Sequence, residues 1–168
     1  MEQVSHLKPE EAFKIVQDSF KRMADQPVVS FKNAGWTPSG DVMVEFNAKR
    51  QKAVFKARLG ARVSSEGRIR GFSDLGLRAV TEGQGPSDAE LAKLDAEDAV
   101  KLAGKSLAGL LEDLQTVFPR AAIFDPKSKS WVVKLAAVRV GQRQLSQYEA
   151  KVNLNGSVTS LKKRKSPI

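Results

Sequence analysis

Residues 94–102 read LDAEDAVKL, and residues 7–15 read LKPEEAFKI. Leu, Glu, Ala and Lys recur at the same places, and an acidic residue and two apolar residues recur by type. These phrases lie 87 residues apart. A second pair lies 89 apart: Ala61-Arg62-Val63 with Gly67, Ile69 and Phe72 matches Ala150-Lys151-Val152 with Gly156, Val158 and Leu161. Two registers that agree so closely point to duplication of one unit rather than to chance. The expected fold is α+β, built from two tandem α-β-β-β units, each one helix packed on a small antiparallel sheet. The first unit is expected at 1–75, a linker at 76–90, and the second unit at 91–168 with a basic C-terminal tail. The two sheets either join in one continuous layer or pack about a pseudo-two-fold axis.

Around each phrase the pattern extends into elements. Residues 10–24 predict an amphipathic helix, with Ala12, Phe13, Val16, Phe20 and Met23 at helical spacing as the buried stripe. Pro9 suits the first helical position, and Glu10 and Glu11 favour the first turn. Three or four strands follow, at 28–31, 41–46, 52–63 and 68–72. The clearest is 52–63, where Phe55, Ala57, Leu59, Ala61 and Val63 alternate with polar residues. Ser87 with Glu90 forms a capping-box pattern. The main second helix is expected over about 96–117, with Ala99, Val100, Ala103, Leu107, Leu110, Leu111 and Leu114 as its stripe. Strands then recur at 121–124, 131–140, 148–154 and 157–162, and the final residues read as a frayed basic tail.

The 168 residues are 41% hydrophobic, enough for a packed core. A lone unit of about 75 residues is marginal, so the two units are expected to pack together. There is no cysteine, which excludes disulfides, thiolate metal sites and a cysteine nucleophile. The opening MEQVSHLKPEEAF lacks the basic-then-apolar signature of a signal peptide, and no apolar stretch nears the ~18–20 residues that span a bilayer. The expectation is a cytoplasmic protein, unless a leader has been removed. Net charge is +9, with a pI near 9.9, which favours acidic partners of any kind.

The repeated unit resembles the PepSY-like, cystatin-related unit, one helix on a small antiparallel sheet. The residues that carry the likeness are Glu10-Glu11-Ala12 and Glu97-Asp98-Ala99 on the helices. On the hairpins they are Val63 with Gly67 and Ile69, and Val152 with Gly156 and Val158. Together the two copies cover nearly the whole chain. The chain departs from the family in its turns: SSEG and NLNG stand where the family carries Asp and Thr-Gly. The resemblance implies a binding or inhibitory module, directed at peptidases in some members, with no catalytic residues to carry over.

Catalytic patterns are sparse. His6 is the single histidine, and no zinc-protease motif or nucleophile elbow is present. Gly83-Gln84-Gly85 lacks the strand-turn-helix context of a dinucleotide site. Glu10/Glu11 and Glu97/Asp98 are adjacent pairs that point to different sides of a helix, so they read as compensation of the helix dipole. A carboxylate-only enzyme is the lesser reading, and no cofactor or metal is expected. Charge patterning says more. Residues 49–70 carry eight basic residues against Glu66 alone. Period two places Lys52, Lys56, Arg58 and Arg62 on one sheet face, and the return strand adds Arg68 and Arg70. On the second unit, Gln147, Glu149, Lys151 and Asn153 hold the corresponding side. The plain alternative is a solvated face that discourages edge pairing. The functional expectation is a non-enzymatic module that engages an acidic protein partner through this basic face. Lys162, Lys163, Arg164 and Lys165 are possible accessory contacts. The alternative is a nucleic-acid-binding protein using the same face through phosphate contacts, although no aromatics interleave the basic residues. Oligomeric state is not legible in the pattern.

Overall fold

The structure, a computed structural model, describes residues 7–25, 27–50, 56–77, 80, 85–142 and 145–164. Helix α1 (Pro9–Met23) leads into strands β1 (Pro27–Trp36), β2 (Val42–Arg50), β3 (Lys56–Val63) and β4 (Ile69–Ser73). Helices α2 (Asp88–Lys93) and α3 (Ala96–Leu110) follow. Strands β5 (Leu114–Asp125), β6 (Ser130–Arg139), β7 (Ser146–Asn153) and β8 (Val158–Arg164) complete the chain. All eight form one antiparallel sheet in chain order. Of the two arrangements the sequence leaves open, the continuous layer is the one formed. Each long helix precedes four strands, one for each of the four ranges read in each half and one more than the α-β-β-β unit holds.

The amphipathic patterns explain which way each element faces. On α1, Ala12, Val16, Phe20 and Met23 are buried. On β2 and β3, Val42, Val44, Phe46 and Ala48 meet Ala57, Leu59, Ala61 and Val63 in the same core. On β6 the set is Trp131, Val133, Leu135 and Ala137. Each large side chain removed from water stabilises the fold by about 1.5–3 kcal/mol. The Phe20 ring is the hub: it packs edge-on against Phe46 and Phe72, each 5.4 Å away, and against Phe118 at 6.0 Å.

The phrase at 94–102 does several jobs. Leu94 ends α2, and the buried Trp131 indole donates to its carbonyl at 3.0 Å. Asp95 caps α3 by accepting from the Asp98 amide at 3.0 Å, and Asp98 accepts from the Asp95 amide at 3.2 Å. In the first half, Trp36 donates to the carbonyl of Leu7 at 2.7 Å. The capping box expected at Ser87 and Glu90 is present at the start of α2.

Strand registers recur. Val42↔Val63, Val44↔Ala61 and Phe46↔Leu59 join β2 to β3. Trp131↔Val152, Val133↔Ala150 and Leu135↔Tyr148 join β6 to β7. The next hairpin shifts register between Arg62 and Val63, and its later counterpart between Lys151 and Val152. Both turns use a glycine at positive φ, Gly67 at 86° and Gly156 at 89°, a conformation that costs other residues about 1–2 kcal/mol.

Several sequence expectations shift. The second helix stops at Leu110, not 117. Leu111 turns extended, Asp113 accepts the Val140 amide at 2.8 Å, and Leu114 begins β5. Apolar residues at 114 and 117 fit a strand as readily as a helix, and the sheet claims them. Pro119 therefore lies within β5, beside the register shift between Pro119 and Ala121, where a missing amide is tolerated. Of the strand expected at 52–63, residues 56–63 are described and form β3, while 52–55 lie outside the described residues. His6, Phe55, Gly83 and Gln84 lie outside the described residues.

Gly60 marks a close approach. A Cβ there would stand 2.5 Å from the Leu77 amide nitrogen, so the segment after β4 crosses the side of β3 opposite the helices. We expect Phe20→Ala to lower the unfolding free energy by about 3–5 kcal/mol, read from urea denaturation. Gly60→Ala should cost about 1–3 kcal/mol by displacing that segment. Gly35→Ala, with open space around the glycine, should stay within about 0.5 kcal/mol of wild type.

Candidate functional site

Because the core side chains of β3 alternate with Arg58 and Arg62, both arginines lie on the face opposite α1 and α3. Their charge is met by carboxylates from other elements. Arg58 pairs with Glu45 of β2 at 2.7 Å. Arg62 reaches Asp41, in the β1–β2 turn, at 2.6 Å. Arg70, at the β4 register shift, brings its Nε to 2.8 Å from the same Asp41 oxygen and pairs with Asp88 of α2. Its Nη1 also donates to the Pro86 carbonyl at 2.8 Å. Asp41 is only 3% exposed, so it is a buried carboxylate held between two guanidinium groups, and removing either side would leave a buried charge. Arg68 is 3.9 Å from Asp95, the cap of α3. Lys52 lies outside the described residues, as does the side chain of Lys56. Among the described residues this region is a lattice of ion pairs rather than a field of unmatched cations. A count along one strand could not include Glu45, Asp41 or Asp88, which arrive from a neighbouring strand, a turn and the expected linker.

The same face continues across β6, β7 and β8, and there it changes character. Lys134 alternates with buried Val133 and Leu135, and Lys151 with buried Ala150 and Val152. Pairing sets Lys162 opposite Glu149 and Arg164 opposite Gln147. Thus Lys162, Lys163 and Arg164 belong to β8 and are not a frayed tail, while Lys165 lies outside the described residues. A cleft of about 230 Å³ opens among Asp74, Arg120, Lys134, Gln147 and Arg164. Arg120 pairs with Asp74 and Arg164 with Glu149, each near 2.9 Å or closer. Lys134 has no carboxylate at ion-pair distance among the described residues. Comparison of one strand with one strand therefore missed Lys134 of β6, while Lys162 and Arg164, expected as accessory contacts in a tail, lie on strand β8 of the same face.

On the other side of the sheet, Glu97 links the two long helices. Its carboxylate accepts from the Ser19 hydroxyl at 2.7 Å and from Arg22 Nη2 at 2.7 Å, and it pairs with Lys101 at 3.0 Å. Burial alone would raise the Glu97 carboxyl, but the hydrogen bonds from Arg22, Ser19 and Lys101 outweigh it and hold the group at about 2. The adjacent acids at 97 and 98 do point to different sides, as expected. Glu97, however, bridges helices instead of only compensating a dipole, and no local sequence signal announces that.

Among the described residues, no group of three His, Cys, Asp or Glu side chains is placed to hold a metal ion. No helix among them is long and apolar enough to cross a membrane. No family model, curated protein or solved structure matches the chain.

Two measurements check this electrostatic picture. Because the Glu97 carboxyl titrates lower in the folded state than its ordinary 4.5, its stabilising contribution is complete above about pH 4.5. It is lost as pH falls toward 2. Glu97→Gln should therefore lower stability at pH 7 and flatten that acid limb, measured by denaturation across pH. Asp41→Asn should cost about 3–5 kcal/mol at pH 7, since Arg62 and Arg70 would lose their shared counter-charge.

Proposed function

We propose that this chain is a non-enzymatic binding or inhibitory module that engages an acidic protein partner through the cationic part of its open sheet face. The observation that carries this reading is Lys134. It stands in a cleft without a carboxylate at ion-pair distance among the described residues, on the face that also carries Lys151, Lys162 and Arg164. Exposed ion pairs contribute only about 0–1 kcal/mol each, but a surface with a net excess of one sign speeds encounter with an opposite surface by about 10–1,000-fold. A protein partner is favoured over nucleic acid by the absence of aromatic residues at the open-face positions Lys134, Gln147, Glu149, Lys151, Lys162 and Arg164, where stacking would be needed; Tyr148, which also lines the cleft, packs in the core. Glu149 and Asp74 within the same area also suit a discriminating protein contact better than a phosphate backbone.

The two halves read as copies of one unit, a helix followed by four strands. Supporting this are the equal 15-residue lengths of α1 and α3 and the matching registers of β2–β3 and β6–β7. Register shifts fall at corresponding places, and the carbonyls of Leu7 and Leu94 each accept from a tryptophan, Trp36 of β1 in one half and Trp131 of β6 in the other. The PepSY-like, cystatin-related likeness fits a unit of this kind and supports a binding or inhibitory role over a catalytic one.

The test is binding to poly-L-glutamate and to single-stranded DNA across salt concentrations. Poly-L-glutamate should bind, more weakly as salt rises, and Lys134→Glu with Arg164→Glu should weaken it at least about tenfold. Arg58→Glu should change it by less than about threefold, since Arg58 does not line the cleft that holds Lys134 and Arg164. Equal binding by the double variant would overturn the reading, and tighter retention of DNA than of polyglutamate would favour the nucleic-acid alternative.

A further inference from the structure

The seam in the middle of the sheet is a template for its open end. There β4 meets β5 through Phe72↔Ala122 and Ser73↔Ala121. Three side-chain contacts complete the joint. Phe118 of β5 enters beside Phe20 of α1, Glu97 accepts from Ser19 and Arg22, and Asp74 pairs with Arg120 at 2.8 Å. By the 87-residue spacing, Ser19, Phe20 and Met23 correspond to Ser106, Leu107 and Leu110 of α3. By the 89-residue spacing, Phe72 and Asp74 correspond to Leu161 and Lys163 of β8.

At the β8 end Leu107 is buried like Phe20, but the counterpart of Met23 stands open. Met23 is 7% exposed, whereas Leu110 is 69% exposed. A groove of about 420 Å³ lies between α3 and β8, lined by Ser106, Gly109, Leu110, Val158 and Leu161. A Cβ added at Gly109 would meet nothing within 4 Å. Among the described residues β8 pairs with β7 alone, so alternate amides and carbonyls along its outer edge are available to a further strand. Leu161 and Lys163 alternate along β8, and Lys163 is in register with Tyr148, whose side chain faces the core.

We propose that this groove and edge receive an extended acidic segment of the partner protein, laid on β8 as β5 is laid on β4. The inference rests on the reading of an acidic partner and says how that partner is held. A large apolar side chain of the segment fills the groove in the place of Phe118. A carboxylate of the segment meets Lys163, which lies on the groove side of β8. Main-chain bonds supply affinity and the alternating side chains supply selectivity. A second copy of this chain is a poorer occupant. Its edge strand β1 carries Lys32 and no carboxylate, so nothing on that strand could meet Lys163.

The experiment selects phage-displayed random decapeptides on the full chain and then measures synthetic forms of the enriched peptides. The expected peptides carry alternating apolar residues and an acid. Methylating alternate backbone amides of the peptide should abolish binding, and Leu110→Glu and Lys163→Glu should each weaken it at least about tenfold. Exchanging the peptide's acid for lysine should restore binding to Lys163→Glu. Both residues are exposed, and thermal unfolding identifies any variant that fails to fold. Equal binding by methylated peptides, indifference to both substitutions, or no enrichment of acid-bearing apolar sequences would overturn the proposal. Concentration-dependent self-association that is abolished by Leu110→Glu would assign the groove to a second copy and also overturn it. The polyglutamate assay separates the two readings. Polyglutamate binding lost in Lys134→Glu/Arg164→Glu but intact in Leu110→Glu, with no strand peptide bound, sinks only the groove. Strand peptides that bind while the double variant keeps its polyglutamate binding sink only the open face.

Discussion

The Phe20 ring sits where four elements converge, and the joining of the two halves depends on it. It touches Phe46 and Phe72 of its own half and Phe118 of the other. The ladder between β4 and β5 contributes just two residue pairs, and so short a run of strand pairing is weak alone. Side-chain packing must carry the joint, and an aromatic cluster does so with both buried area and favourable edge-to-face geometry. The Glu97 link between α1 and α3 adds a second, polar fastening on the helix side. A continuous sheet is thus a consequence of what packs above it as much as of the strands themselves.

Charge is distributed by the same logic. A chain with net charge +9 would repel itself if its cations were massed on one strand pair. Instead Asp41, Asp88 and Glu45 are folded in against Arg62, Arg70 and Arg58. The buried Asp41 ties the β1–β2 turn to β3 and β4, so these arginines serve the architecture of the first half. What is left for recognition lies on β6 to β8, where Lys134 borders a cleft. The candidate surface has moved from the half with the higher local density of basic residues to the half with fewer carboxylates to meet them.

The proposed duplication gives the unequal ends of the sheet a common explanation. Side chains that the seam requires on one half persist on the other without a neighbour to cover them. Leu110 is 69% exposed where Met23 is 7% exposed. Lys163, on the helix side of the β8 edge, is informative, because this chain's own β1 carries no carboxylate to meet it, while an acidic strand does.

Much of the architecture was already written in the residues. The two phrases at 7–15 and 94–102, the alternation in residues 57–63 and the Ser87–Glu90 cap are local patterns, set by helical and strand periodicity and by side chains that reach their own backbone. They determined the class of fold, the α1 stripe, the core face of β3 and the outward direction of Arg58 and Arg62. Tertiary structure alone decided the end of α3 at Leu110, because residues 111–117 suit either a helix or a strand and only pairing with β6 makes them strand. It alone decided that Glu97 would join helices and that Asp41 would serve two arginines. Those contacts span 21 to 78 positions in the chain, and a charge has no local pattern that names its distant counterpart.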